Sequence, residues 1–233
     1  MMKRWISLMM LAVLMCLCAG AAAQSSDVEI ISEAAYAVES YGSVYGCAYA
    51  FVRNNGKSMA HVTASCAFFD SSNRKLGGTD YMTCYPDYLA PGETGYVFYS
   101  YTNLKDVTSP AQVADYEIKV DVPYTSDSAK VTHYPHTVKL FTTTSGSSTS
   151  KALHVYVEND TDELLFRTHT VVAILDENGT PVYIGSNYLS DAGILPGSTT
   201  VSRISIPEYI VKFFDANGFE IRSVDSMAFT MSY

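Results

Sequence analysis

One pattern of turns, written twice, constrains this chain more than any other feature. Val52-Arg53-Asn54-Asn55-Gly56 precedes an apolar run that ends at Asp70, and Leu89-Ala90-Pro91-Gly92 follows later. Val157-Glu158-Asn159-Asp160 precedes an apolar run that ends at Asp176, and Leu195-Pro196-Gly197 follows. The copies are 105 residues apart at Asn54/Asn159 and Pro91/Pro196, and 106 apart at Asp70/Asp176. Three landmarks in one order at one spacing mark an internal duplication. The expected organisation is a first domain over 24–125, a linker over 126–134 and a second domain over 135–233.

Each copy reads as strands. Glu117-Ile118-Lys119-Val120-Asp121-Val122 alternates polar and apolar with period two, which places one face of a strand inward and the other outward. Val, Ile, Thr, Tyr and Phe dominate such runs and suit a pleated surface. Asn54-Asn55-Gly56, Ser71-Ser72-Asn73, Glu177-Asn178-Gly179 and Asn217-Gly218 punctuate them with residues that tolerate positive φ. Only Pro207 to Phe214 has helical character. The expected fold class is all-β, two tandem β-sandwiches of immunoglobulin or fibronectin type III kind. The polar run Thr142 to Ser150 reads as a mobile loop between the first and second strands of the second copy.

The first 23 residues read as an export signal. Lys3 and Arg4 are followed by an apolar stretch from Ile6 to Cys18 and by Ala21-Ala22-Ala23 as the cleavage site. The apolar stretch is too short to span a bilayer, and neither Cys16 nor Cys18 follows the small residue that a lipid anchor requires. The mature chain is therefore expected outside the cytoplasm, secreted or at the cell surface, with no membrane span. Loss of Lys3 and Arg4 makes the formal charge of −9 two units more negative. With Arg74-Lys75 the longest basic cluster, the charge balance argues against nucleic acid.

Cys47, Cys66 and Cys84 remain after cleavage, an odd number that allows one disulfide and one free thiol, with the pairing open. Their spacing, one per successive strand, lacks the close pairs of a zinc site. Asp160-Thr161-Asp162-Glu163 and Asp176-Glu177-Asn178-Gly179 offer oxygen ligands for calcium, with Asp160, Asp162 and Asp176 as the residues concerned. Both segments also suit plain turns. His133-Tyr134-Pro135-His136 reads as a solvated stretch of linker. No cofactor is expected, and the motifs of nucleophilic, zinc-dependent and nucleotide-dependent enzymes are missing.

Tyrosine is concentrated in the first copy, with 12 of the 18 falling in residues 24–125. Aligning the copies turns Ala48, Ala50 and Val52 toward the core and Cys47, Tyr49 and Phe51 toward the opposite face. Tyr45, Tyr49, Phe51, Tyr81, Tyr85 and Tyr88 are the expected binding surface if that face is open to solvent. The alternative is that it packs against the second domain.

Each copy resembles the FxLYD-type domain, an extracytoplasmic immunoglobulin-like module of bacterial and archaeal surface proteins. The resemblance lies in the V-x-N at the end of an early strand, a strand ending in Asp (Cys66 to Asp70, Val172 to Asp176) and a later L-x-P-G or L-P-G. Neither copy keeps the Phe or the Tyr that names the motif. What the resemblance implies is a non-catalytic surface module. The expected function is a secreted or cell-surface binding or adhesion module that makes protein–protein contacts. A carbohydrate-binding module is the alternative, and an enzyme whose site the sequence does not reveal is the second. The expected partner is thus a protein or a glycan.

Overall fold

Asn54 and Asn159 make the same hydrogen bonds in the two copies. Nδ2 of Asn54 donates to the carbonyls of Ser58 and Leu89 at 2.8 and 2.7 Å. Nδ2 of Asn159 donates to those of Glu163 and Ile194, both at 2.7 Å. Each Oδ1 accepts the N–H two residues on, from Gly56 or Thr161. The N–H groups of Gly92 and Gly197 donate to the two asparagine carbonyls. Both glycines have left-handed φ, +80° and +68°, which glycine adopts without a steric penalty. Asp70 and Asp176 match in turn. Oδ1 of Asp70 accepts from the N–H groups of Ser72 and Arg74, and Oδ1 of Asp176 from those of Asn178 and Thr180.

The computed structural model describes residues 27–145, 148–189 and 193–232, so the export signal read at 1–23 lies outside the described residues. In the first half the strands are β1 (Val28–Ser40), β2 (Ser43–Asn54), β3 (Met59–Phe69), β4 (Lys75–Thr79), β5 (Thr83–Tyr85), β6 (Tyr88–Leu89), β7 (Thr94–Asn103) and β8 (Asp115–Ser126). β1 and β2 form a hairpin closed by Tyr41-Gly42, both with positive φ, the twist that suits a two-residue hairpin turn. One antiparallel sheet runs β1-β2-β7-β5. In the other, β3 pairs with β4 and β6 on one side and with β8 on the other. Between them lie Ala48, Ala50 and Val52 of β2, Val62, Ala64, Cys66 and Phe68 of β3, and Val97 of β7.

The second half contains β9 (Lys130–His133), β10 (His136–Ser145), β11 (Ser148–Glu158), β12 (Thr168–Leu175), β13 (Pro181–Leu189), β14 (Thr199–Ile206), the helix α1 (Glu208–Ala216) and β15 (Ser223–Ser232). Its sheets are β10-β11-β14 and β13-β12-β15-β9. Leu153, Val155 and Val157 share a hydrophobic cluster with Val172 and Ile174. The architecture is all-β, as the alternating sequence requires, and α1 falls on the one helical stretch. Among the described residues every strand pairing stays within one half, and no helix is long and apolar enough to cross a membrane.

Two local readings are corrected. Residues 130–133, given to the linker, form β9 and pair with β15, His133 opposite Phe229. The stretch read as solvated is so only in part: His133 and Pro135 are exposed, while Tyr134 and His136 are held in the fold. Tyr134 is buried, with its hydroxyl 2.9 Å from Oγ1 of Thr230, and His136 Nε2 lies 3.1 Å from Ser226 Oγ. In the polar run from Thr142 to Ser150, residues 142–145 and 148–150 are strand, and 146–147 lie outside the described residues. β10 and β11 pair residue by residue, with Thr142 opposite Lys151 and Thr144 opposite Thr149. Its β-branched threonines favour extended backbone.

From Gly46 to Val52, β2 is buried without a break. That is the pattern of a strand covered on both faces. Cys47, Tyr49 and Phe51, on the face away from the first core, join the hydrophobic cluster of the second half. Tyr36 of β1 stacks on Phe213 of α1 with ring centroids 4.3 Å apart. Tyr49 meets Tyr183 of β13 edge-on at 6.0 Å. The phenols find polar partners across this seam. Tyr36 donates to the carbonyl of Val182 at 2.7 Å, and Tyr209 to that of Ser100 at 2.8 Å.

Candidate functional site

The six aromatics named from sequence do not gather into one surface. Tyr49 and Phe51 are buried in the seam, so neither can meet an external partner. Tyr45 stacks on Tyr101 at 3.9 Å, and Tyr85 packs on Phe98, His169 and Phe229. Tyr88 lies elsewhere, beside His61, with its hydroxyl 3.4 Å from that of Tyr124. Tyr81 is 84% exposed. The correction has one cause. The face that carries most of these rings packs against the second half, and tyrosine suits a seam that is apolar in the middle and hydrogen-bonded at its edges.

The other expectations fare as follows. Cys47, Cys66 and Cys84 are all buried free thiols in this structure. Cys47 belongs to the seam and the other two to the first core. Burial pushes the thiols of Cys47 and Cys84 up to about 12, which keeps them protonated and unreactive at neutral pH. Asp176 uses its carboxylate to close its own turn, while Asp160 and Asp162 are exposed in theirs. Among the described residues no group of three or more His, Cys, Asp or Glu could hold a metal ion.

The duplication points to a different surface. Cys47, Tyr49 and Phe51 on β2 correspond to Ala152, His154 and Tyr156 on β11. In the first half this sheet face is sealed. In the second, β11 alternates between buried and partly exposed positions from Leu153 to Val157, so its outer face is open. Three strands present side chains there in register. Lys139 of β10, His154 of β11 and Arg203 of β14 stand directly opposite one another. With strands about 4.8 Å apart, the row spans roughly 10 Å. Thr137, Tyr156 and Val201 form the row on one side, and Phe141, Ala152 and Ser205 the row on the other.

Ring contacts organise the row. Phe141 stacks on His154 at 4.2 Å, and the Lys139 ammonium lies 5.1 Å from the centre of the Tyr156 ring. Phe141, Thr143, Ser150, Ala152, His154 and Arg203 enclose a shallow groove of about 160 Å³. No family model matches the chain, and no curated protein is significantly similar to it. The chemistry of the groove therefore rests on its own residues.

That chemistry is cationic in an acidic protein. From Ser128 to Val157 the sequence contains no Asp or Glu, although 24 occur in the chain, and β14 contains none. Among the described residues no ion pair reaches Lys139, His154 or Arg203, whereas Lys151, beside them in sequence, is held by Asp215 at 3.1 Å. Lys139 and Arg203 thus flank His154 as two fixed positive charges, and an anion placed over the row would meet both. The sequence carried two signals for this surface, the acid-free stretch and the period-two spacing of Lys139, Phe141 and Thr143. Neither becomes specific until β14 brings Arg203 alongside from 49 residues beyond His154.

Proposed function

We propose that this chain is an exported, non-catalytic binding module whose recognition surface is the outer face of the β10-β11-β14 sheet and whose ligand is anionic. One observation carries this reading, the Lys139, His154 and Arg203 row, to which no carboxylate is paired among the described residues. Export is supported by the N-terminal pattern of Lys3-Arg4, apolar stretch and Ala21-Ala22-Ala23. The duplicated sandwich and the resemblance to FxLYD-type surface modules support a role in adhesion or display. Rigid strands hold Lys139, His154 and Arg203 in fixed register, which lowers the ordering cost of binding.

The test is retention of the protein on an immobilised polyanion as salt is raised, compared with the Lys139→Gln/Arg203→Gln double variant. Wild type elutes at clearly higher salt than the variant, because each lost cation removes a counterion-releasing contact. Equal elution of the two would remove this face as the binding surface.

A protein partner is the second reading, and a separate observation favours it. Leu164, Phe166 and Leu195 are 40, 54 and 64% exposed. They lie beside the Leu165–Ile194 bridge that joins the two loops carrying them, and apolar side chains exposed together mark contact surfaces.

A further inference from the structure

Resting on the reading above, we infer that the ligand of the cationic row is an acidic glycan, a sugar chain carrying one carboxylate per ring, held with a ring in the groove beside Phe141. Four features of the groove favour this ligand over other anions. The Phe141 ring, packed on His154 and still 41% exposed, offers a flat apolar wall for the C–H face of a pyranose. Thr143 and Ser150, directly opposite each other where the groove continues along the hairpin, supply hydroxyls that donate and accept, as sugar hydroxyls require. The planar guanidinium of Arg203 matches a carboxylate with two parallel hydrogen bonds. The groove volume, about 160 Å³, is on the scale of one sugar ring rather than a folded partner, whose interface would be far larger.

The row is also arranged for an extended ligand. Lys139 and Arg203 lie two strand spacings apart with the His154 imidazole between them, so a chain crossing the strands meets a positive charge at each end of the row and a ring nitrogen in the middle. A linear uronan presents carboxylates at regular intervals along its length. A nucleic acid would need a broader basic field than three side chains on a protein of charge −9.

The sealed counterpart in the first half sharpens the point. Ala34, Tyr49 and Phe98 stand there in the register that Lys139, His154 and Arg203 occupy in the second half. One copy of the face is suited to burial. The other carries charge and hydroxyls, which are costly to bury against protein and suited to a hydrated ligand.

Affinity electrophoresis of the intact protein tests the inference, with polygalacturonate in the gel, its fully methyl-esterified form as the neutral counterpart, and poly-glutamate as a non-sugar polyanion. Polygalacturonate retards wild type, while the esterified polymer does not. Arg203→Gln weakens the interaction about tenfold or more, and the Lys139→Gln/Arg203→Gln double variant abolishes it. Phe141→Ala weakens binding to polygalacturonate and leaves any binding to poly-glutamate unchanged. Tyr81→Ala, remote from the groove, migrates as wild type, and circular dichroism confirms the fold of each variant. Equal binding of poly-glutamate and polygalacturonate, with no effect of Phe141→Ala, overturns the glycan assignment and leaves the anionic surface standing. Binding to no polyanion overturns both, and retention by the esterified polymer overturns the role of the carboxylate.

Discussion

The phenol of Tyr96, on β7 of the first half, donates a hydrogen bond to Oδ2 of Asp225, on β15 of the second, at 3.1 Å. Burial raises the phenol's pKa far above its ordinary value, and the Asp225 charge raises it further, so the hydroxyl stays protonated and keeps donating. Tyr96→Phe retains the ring, which packs edge-on against Phe51 at 5.3 Å, and removes only the donor. It is expected to cost about 1 kcal/mol, since Asp225 is exposed and water can replace the lost partner. Urea unfolding measures this, and Asp225→Asn/Tyr96→Phe should cost little more than either change alone. Strict additivity of the two would mean that the pair contributes nothing.

The two asparagine turns provide a paired measurement. Asn54→Ala and Asn159→Ala each leave one buried carbonyl, that of Leu89 or Ile194, and one at an exposed residue, Ser58 or Glu163, without the amide that satisfies them. Each should lose roughly 1 to 3 kcal/mol. The informative quantity is the comparison. The partners match at one spacing, so the two losses should agree to within about 1 kcal/mol. A loss in one copy alone would show that the other turn is held by something besides its asparagine.

His169 is expected to make the fold sensitive to acid. Its ring lies against Phe229, Tyr188 and Tyr85. Burial lowers its pKa, opposed in part by the Asp87 charge. The unfolded chain therefore takes up the proton more readily than the folded one. Stability from this group is complete above the unfolded value, about 6.5, and is lost as pH falls below it toward the folded value. His169→Phe should flatten the decline in urea midpoint between about pH 7.5 and 5. An unchanged slope would assign the decline to other groups.

How much of this could be read from the residues alone differs from element to element. The turns were legible because each rests on a short local sequence. Asp70 closes its turn within four residues of itself, and Asn54 joins its own turn to the Leu89–Gly92 corner, so two short sequences at a fixed separation, repeated in the second copy, were enough to locate them. The core faces were legible wherever alternation was clean, as along β3, buried at every second residue from Ala60 to Phe68. β2 was harder. Its aromatics on the non-core face fit both an open surface and a seam, and only the position of the second half decides between them. The cationic row was not legible, because its third member arrives from a distant strand. Thr142 to Thr144 misled because threonine is polar, as loops are, and β-branched, as strands are. Pairing with Thr149 to Lys151 decides for the strand.

The sealing of one sheet face by the neighbouring half has a consequence for valency. The seam covers one of two equivalent faces, so of that pair each chain presents only the other. On the function proposed above, the chain is then monovalent through this face, and firm attachment to a repetitive polymer would come from many chains crowded on one surface.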